Sequence, residues 1–80
     1  MSKNNKMVVK GFLLVGIVRD VDFYLSRTQE KFVDDVMKVT VGDLMTKSDK
    51  QTTDLEQIKK DYPLVDSIKG WAKIKLTIKL

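Results

Sequence analysis

Residues 71–80 read Trp71-Ala-Lys-Ile-Lys-Leu-Thr-Ile-Lys-Leu80, and this stretch decides the reading of the fold. Ala72, Ile74, Leu76, Ile78 and Leu80 share one parity; Trp71, Lys73, Lys75, Thr77 and Lys79 share the other. Successive side chains of a strand face opposite sides of a sheet, so the pattern predicts a half-buried β-strand. Two readings of its outer face stand side by side. An aromatic beside lysines suits a surface that holds a polyanion and stacks its bases. Lysine on the solvent side of a strand is also ordinary, and it discourages edge-to-edge aggregation.

Working back from this strand, Lys69-Gly70 reads as the turn into it, and Leu64, Val65 and Ile68 as core residues. Before them lies a helix signal. Thr53 as N-cap with Glu56 three residues on fits a capping box, in which each side chain satisfies a backbone N–H at the helix end. Asp54 and Glu56 in the first turn and Lys59 and Lys60 in the last complement the helix dipole. Leu55, Ile58 and Tyr62 form its apolar face, and Pro63 predicts a stop near Asp61. Residues Thr46 to Thr53 read as a polar loop, Leu44-Met45 as a short strand and Gly42-Asp43 as a turn. Phe32 to Val41 reads as a strand with Val33, Met37, Val39 and Val41 on one parity and Lys38 and Thr40 on the other.

The polar run Ser26 to Lys31 reads as a loop. From Met7 to Leu25 the chain reads as one long strand. Met7, Val9, Leu13, Val15 and Ile17 lie on one parity, with Val8, Phe12, Leu14 and Val18 on the other. Apolar residues on both parities predict a strand covered on both sides. Gly11 and Gly16 within it mark a bulge, a bend or a close backbone approach. Residues 1–6 are expected to be a disordered polar tail, and residues 7–80 one small domain. Separate strands with one short helix before the C-terminal strand predict an α+β, mainly β fold: a small antiparallel barrel or curled sheet.

Composition narrows the function. The 80 residues contain no cysteine and no histidine, and the net charge is +4. A structural zinc site needs Cys and His ligands, and the common catalytic arrangements need His, so neither is expected. Asp20 with Asp22 and Asp34 with Asp35 are the close carboxylate pairs; Asp20 and Asp22 share one strand face and offer oxygens to a divalent cation, but without other organised ligands the leading reading is solvated charges. No Gly-rich phosphate loop occurs, and Ser2, Ser26, Ser48 and Ser67 have no base to activate them. The expectation is a non-enzymatic protein without cofactor or metal. The longest apolar stretch, Gly11 to Val18, is far short of the ~20 residues that cross a bilayer. Polar residues 1–6 and the apolar run after them faintly suggest a signal peptide. Lys10 interrupts that run and Arg19-Asp-Val-Asp22 follows it, so a cytoplasmic protein is expected.

Mild basicity permits nucleic acid as a partner without requiring it. Stacking candidates are Trp71 and Tyr24, followed by Phe23 or Phe32; core packing is the leading reading for Phe12, Phe23 and Phe32. Phosphate-contact candidates are Lys10, Arg19, Arg27, Lys31, Lys38, Lys73, Lys75 and Lys79. The expected nucleic-acid-binding set is Tyr24, Arg27, Lys31, Lys38, Thr40, Trp71, Lys73 and Lys75. If the strand of Lys38 and Thr40 neighbours that of Trp71, Lys73 and Lys75, their lysines form one stripe. The competing expectation is a protein–protein module or a homodimer assembled through an open sheet edge.

Val8-Val-Lys-Gly-Phe-Leu-Leu-Val-Gly-Ile-Val18, then Asp22-Phe-Tyr24, a polar loop and Met37-Lys-Val-Thr-Val-Gly-Asp43, resembles small OB-fold single-stranded DNA-binding proteins, including those of phages and plasmids. The resemblance covers residues 7–43 by pattern and the remainder by element order. It implies an OB-like barrel that binds single-stranded nucleic acid, with DNA favoured. It further implies a site across the second and third strands, near Lys38, Thr40, Tyr24, Arg27 and Lys31. A complete OB barrel has five strands, more than the pattern supplies here.

Overall fold

The structure is a computed structural model that describes residues 5–79. Leu13 and Leu14 are adjacent in sequence and both fully buried, which requires cover on both faces of the strand that carries them. That strand, β1 (Lys6–Val18), is internal to an antiparallel sheet with β2 (Val21–Ser26), β3 (Lys31–Val33) and β4 (Ser67–Lys79), in the order β3-β2-β1-β4. The sheet is open, with β3 and β4 as its edges, and it does not close into a barrel. On one face, Leu13 packs with Val33, Val39, Tyr24, Val36, Leu44 and Ile74. On the other, Leu14 packs with Leu25, Met45, Phe32, Ile58, Tyr62, Ile68 and Trp71. Each fully buried leucine contributes about 1.5–3 kcal/mol of transfer free energy. The first face is covered by the irregular segment 34–44, the second by α1 (Lys47–Thr52) and α2 (Leu55–Asp61).

The single long strand expected from Met7 to Leu25 is instead a hairpin. Arg19 and Asp20 both adopt left-handed angles, φ 51° and 67°, between the paired residues Val18 and Val21. Two left-handed residues make the tight turn whose twist matches that of the flanking strands. Neither is the usual Gly or Asn, and hydrogen bonds from a distant segment hold the turn. The Arg19 N–H donates to the Asp66 carboxylate at 2.8 Å, and the Asp66 N–H donates to the Ile17 carbonyl at 2.8 Å. Gly11 and Gly16 are close approaches: a Cβ at Gly11 would stand 2.8 Å from that of Leu44, and one at Gly16 would stand 2.7 Å from the Phe32 ring. The bulge lies across from Gly16. Val15 pairs with Gly70 and Gly16 with Ile68, so Lys69 is the extra residue on β4. Lys69-Gly70 is therefore a bulge within β4 rather than a turn before it, and Gly70 takes φ 138°.

The expected strand from Phe32 to Val41 also needs correction. Only Lys31–Val33 pairs with β2, and the chain then forms two 3-10 turns, Val36–Lys38 and Val41–Asp43. Asp35 caps the first turn by accepting from the Met37 N–H at 2.9 Å, an end signal that outweighs the alternation of valines. Leu44-Met45 is reduced to one bridge, in which Met45 pairs with Phe12. The expected polar loop Thr46 to Thr53 contains α1, started by a Thr46–Asp49 capping box. The cap of α2 is Asp54, one residue later than expected, and α2 ends at Asp61 as the proline predicts. Residues 1–4 of the expected tail and Leu80 of the expected strand lie outside the described residues, and β1 already includes Lys6.

Asp43, which reads from sequence as a turn residue, is fully buried. One carboxylate oxygen accepts from the Thr28 N–H at 2.7 Å, the Thr28 hydroxyl at 2.8 Å and the Ser26 hydroxyl at 2.9 Å. The other accepts from the Thr40 N–H at 2.8 Å and the Thr40 hydroxyl at 3.2 Å. Burial opposes the charge, but the N–H groups of Thr28 and Thr40 and the hydroxyls of Thr28 and Ser26 outweigh it and hold the pKa at about 2. Because the folded pKa lies below the unfolded value, this stabilisation is present above about pH 4 and is lost as pH falls through about 2. A depression of this size corresponds to about 2 kcal/mol at neutral pH. Asp43→Asn turns one acceptor into a donor facing donors. It is expected to cost about 2–4 kcal/mol in urea unfolding at pH 7, and to lose less stability than wild type between pH 4 and pH 2.

Candidate functional site

Beyond the helices, β1 and β4 continue as a two-stranded arm, part of a molecule with principal extents of 50 × 26 × 18 Å. Residues paired across antiparallel strands share a face, so the register assigns the faces of the arm. Met7–Ile78, Val9–Leu76 and Gly11–Ile74 lie on one side; Lys6–Lys79, Val8–Thr77, Lys10–Lys75, Phe12–Lys73 and Leu14–Trp71 lie on the other. The outer face of β4 read from the alternation therefore meets a second row of lysines from β1. Lys6 stands directly opposite Lys79 and Lys10 directly opposite Lys75. Like charges in directly opposed positions destabilise a sheet.

Among the described residues no carboxylate forms an ion pair with this face. The ion pairs among the described residues are Arg27–Asp49 at 3.6 Å, Lys38–Asp34 at 2.8 Å and Lys69–Asp22 at 2.6 Å. Asp43 is held by the Ser26, Thr28 and Thr40 donors, and Asp66 accepts from Arg19. The Asp49 carboxyl is held below its usual range by the Thr46 N–H, then by the Thr46 hydroxyl and, more weakly, by Arg27. These acids are therefore engaged elsewhere, and Lys6, Lys10, Lys73, Lys75 and Lys79 form no ion pair among the described residues. Lys47 and Lys50 of α1 extend the basic surface. The Lys50 ammonium lies 4.0 Å from the centre of the Phe12 ring, and Lys47 lines the groove between α1 and the arm.

Of the residues expected to bind nucleic acid, the structure brings together Trp71, Lys73 and Lys75, with Lys10 and Lys79 beside them. Trp71 is partly exposed and packs against Leu14, Leu25 and Met45, so core packing and the basic face share this ring. Tyr24 pairs with Val15 on the opposite face and packs against Leu13, Val33 and Val39. Arg27 lies in the β2–β3 loop against Asp49, and Lys31 begins β3 opposite Ser26. Lys38 ends a 3-10 turn paired with Asp34, which raises its pKa, first through their hydrogen bond and then through charge. Thr40 is committed to Asp43. The condition for one lysine stripe, that the strand of Lys38 and Thr40 neighbour the terminal strand, is not met: Lys38 ends a 3-10 turn and is held by Asp34, while Thr40 lies between two turns and lines a groove with Lys75 and Lys79. Lys6, Lys47, Lys50 and Phe12 were not legible as site residues. The parity of Lys6, Lys10 and Phe12 was the available signal, and it needed the β1–β4 register to acquire meaning.

No group of three or more His, Cys, Asp or Glu residues among the described residues is placed to hold a metal ion. Among the described residues no helix is long and apolar enough to cross a membrane. Compared with protein-family models, curated proteins and solved structures, the chain matches none of them.

Lys10→Glu replaces the repulsive Lys10–Lys75 pair with an attractive one. It is expected to raise the thermal midpoint at low salt by roughly 2–4 °C. The gain should shrink in 1 M salt as charges are screened. Thermal unfolding followed by circular dichroism at both salt concentrations checks this.

Proposed function

We propose that the lysine face of the β1–β4 arm binds single-stranded nucleic acid, with DNA favoured, and that the protein acts by binding rather than catalysis. The observation that carries the reading is the pair of like-charge oppositions, Lys6–Lys79 and Lys10–Lys75, with no carboxylate to relieve them among the described residues. A charge arrangement that costs stability in the free protein is relieved when phosphates lie along it. Spacing favours a single strand. Alternate residues of β4, such as Lys73 and Lys75, advance about 6.7 Å along the strand, a step near that of one nucleotide in an extended chain. Aromatic rings on the same face, Phe12 and Trp71, supply the surfaces on which bases stack.

On the fold, we read the sheet as an abbreviated OB-like architecture. A long, glycine-bearing first strand is central, and helical segments precede the last strand. The sheet stays open where a full barrel would have a fifth strand. The site then differs from the one the resemblance implies, lying on β1 and β4 rather than on the second and third strands. A cytoplasmic location fits this reading.

A second reading has its own observation. The outer edge of β4 is unpaired along the described strand, and the face of the arm opposite the lysines is apolar. Met7 on that face is exposed, and Met37, 83% exposed, lines a groove with Leu76 and Ile78. Such an edge and face suit assembly with another protein or a second copy.

Titration with a short oligo(dT), followed by Trp71 fluorescence, separates the readings. Single-strand binding predicts saturable quenching, with a log K against log salt slope of about −3 for four or five phosphate contacts. Strand addition predicts weak salt dependence and no quenching by oligo(dT). Absence of both quenching and anisotropy change on a labelled oligonucleotide at low salt would remove the nucleic-acid reading.

A further inference from the structure

Along the lysine face one place is a groove rather than a flat surface. It lies between α1 and the arm, with a volume of about 460 Å³, and its walls include Lys10, Phe12, Lys47, Lys73 and Lys75. Cavities of ~300–1,000 Å³ hold small ligands, so one base with its phosphate is a fitting load. Phe12 sits in the middle of this groove. It pairs with Lys73 on β4, and its N–H and carbonyl bond Met45 at 2.9 and 2.8 Å, so its backbone is fixed on both sides. Its ring is only partly buried, and the exposed Lys47 and partly buried Lys50 of α1 stand beside it. Above the ring, the Lys50 ammonium occupies the position a cation takes over a π face.

We infer that Phe12 is the principal base-stacking platform of this protein, and that Lys50 is a displaceable cover on it. The inference rests on the binding reading above and names the subsite within it. Trp71, the aromatic that sequence puts first, is partly exposed like Phe12, but its ring is shared with the core, where it packs against Leu14, Leu25 and Met45. Phe12 instead belongs to the groove in which the lysines converge. An arriving base exchanges one π-face partner for another: the flat base replaces the ammonium, and Lys50 is freed toward the phosphate. The exchange costs little, because a partly exposed ammonium over a ring contributes only modestly to stability and finds a phosphate when it leaves. Lys10, Lys73 and Lys75 then hold the phosphates on either side of the stacked base. Contacts of this kind do not distinguish one base from another, since every base has a π face.

The experiment compares two polyanions, a labelled oligo(dT) and inorganic polyphosphate, which carries the charge without bases. Phe12→Leu is expected to weaken oligo(dT) binding roughly tenfold or more and to leave polyphosphate binding and the salt slope unchanged. Phe12→Tyr keeps a ring and is expected to retain oligo(dT) affinity. Retained polyphosphate binding by Phe12→Leu shows that the lysine face is still folded. If that variant loses its fold, the cover decides: Lys50→Gln uncovers the ring and is expected to raise the preference for oligo(dT) over polyphosphate, and an unchanged preference would overturn the inference. Equal affinity of wild type and a folded Phe12→Leu for oligo(dT) would overturn the inference while leaving the lysine-face reading intact. Failure of wild type to bind either polyanion at low salt would overturn both.

Discussion

The constraint on which the structure depends is that the centre of β1 must be covered on both faces. Leu13 and Leu14 point in opposite directions and neither touches solvent. In a chain of 80 residues, covering two faces leaves little material for anything else. The segment 34–44 is spent on the Leu13 face, and α1 and α2 on the Leu14 face. What remains, the start of β1 with the end of β4, has no third layer on its lysine side. That is why the same strand is core at its middle and surface at its beginning.

The charge distribution follows from the same division. Carboxylates are placed where the irregular segments need them. Asp35, Asp54 and Asp49 cap helical turns, Asp43 gathers the N–H groups of two loops, and Asp66 braces the left-handed turn at Arg19. Each of these duties comes from a backbone group that would otherwise lack a partner, a demand that regular strands do not make. The arm is regular strand throughout, so no local need draws a carboxylate to it. A mildly basic chain thereby acquires one strongly basic face without an extreme composition.

Asp43 shows how a polar residue can be structural without resembling one in sequence. Gly42-Asp43 has the look of an exposed turn, and nothing near it announces that Ser26 and Thr28 lie within reach. The partners are 15 and 17 residues away and come within reach only when the segment after β3 folds back to the end of β2 and its loop. The same contact explains why the Phe32 to Val41 segment is not a strand. Thr40, whose alternation with Lys38 suggested a strand face, is turned toward Asp43, and its backbone N–H is used there rather than in a ladder.

Features that depend on near neighbours along the chain can be read from residue order alone. The alternation of β4, the double apolar parity of β1 and the stop of α2 before Pro63 are all legible from spacing and residue type, whereas at Gly11 and Gly16 a bulge, a bend and a close approach were equally open. The outward parity of Lys73 and Lys75 was legible too, whereas Trp71 on the same parity packs against the Leu14 cluster. Only the tertiary structure decided the rest, because it turns on which segments meet. The two-residue turn at Arg19-Asp20 carries no glycine and is held by Asp66, far along the chain. Lys38 and Thr40 fall in an irregular segment rather than on a strand beside the terminal one, and the register sets Lys6 and Lys10 against Lys79 and Lys75. Parity is a property of one strand, whereas a charged face belongs to two, and the register that joins them arises from packing across the whole sheet.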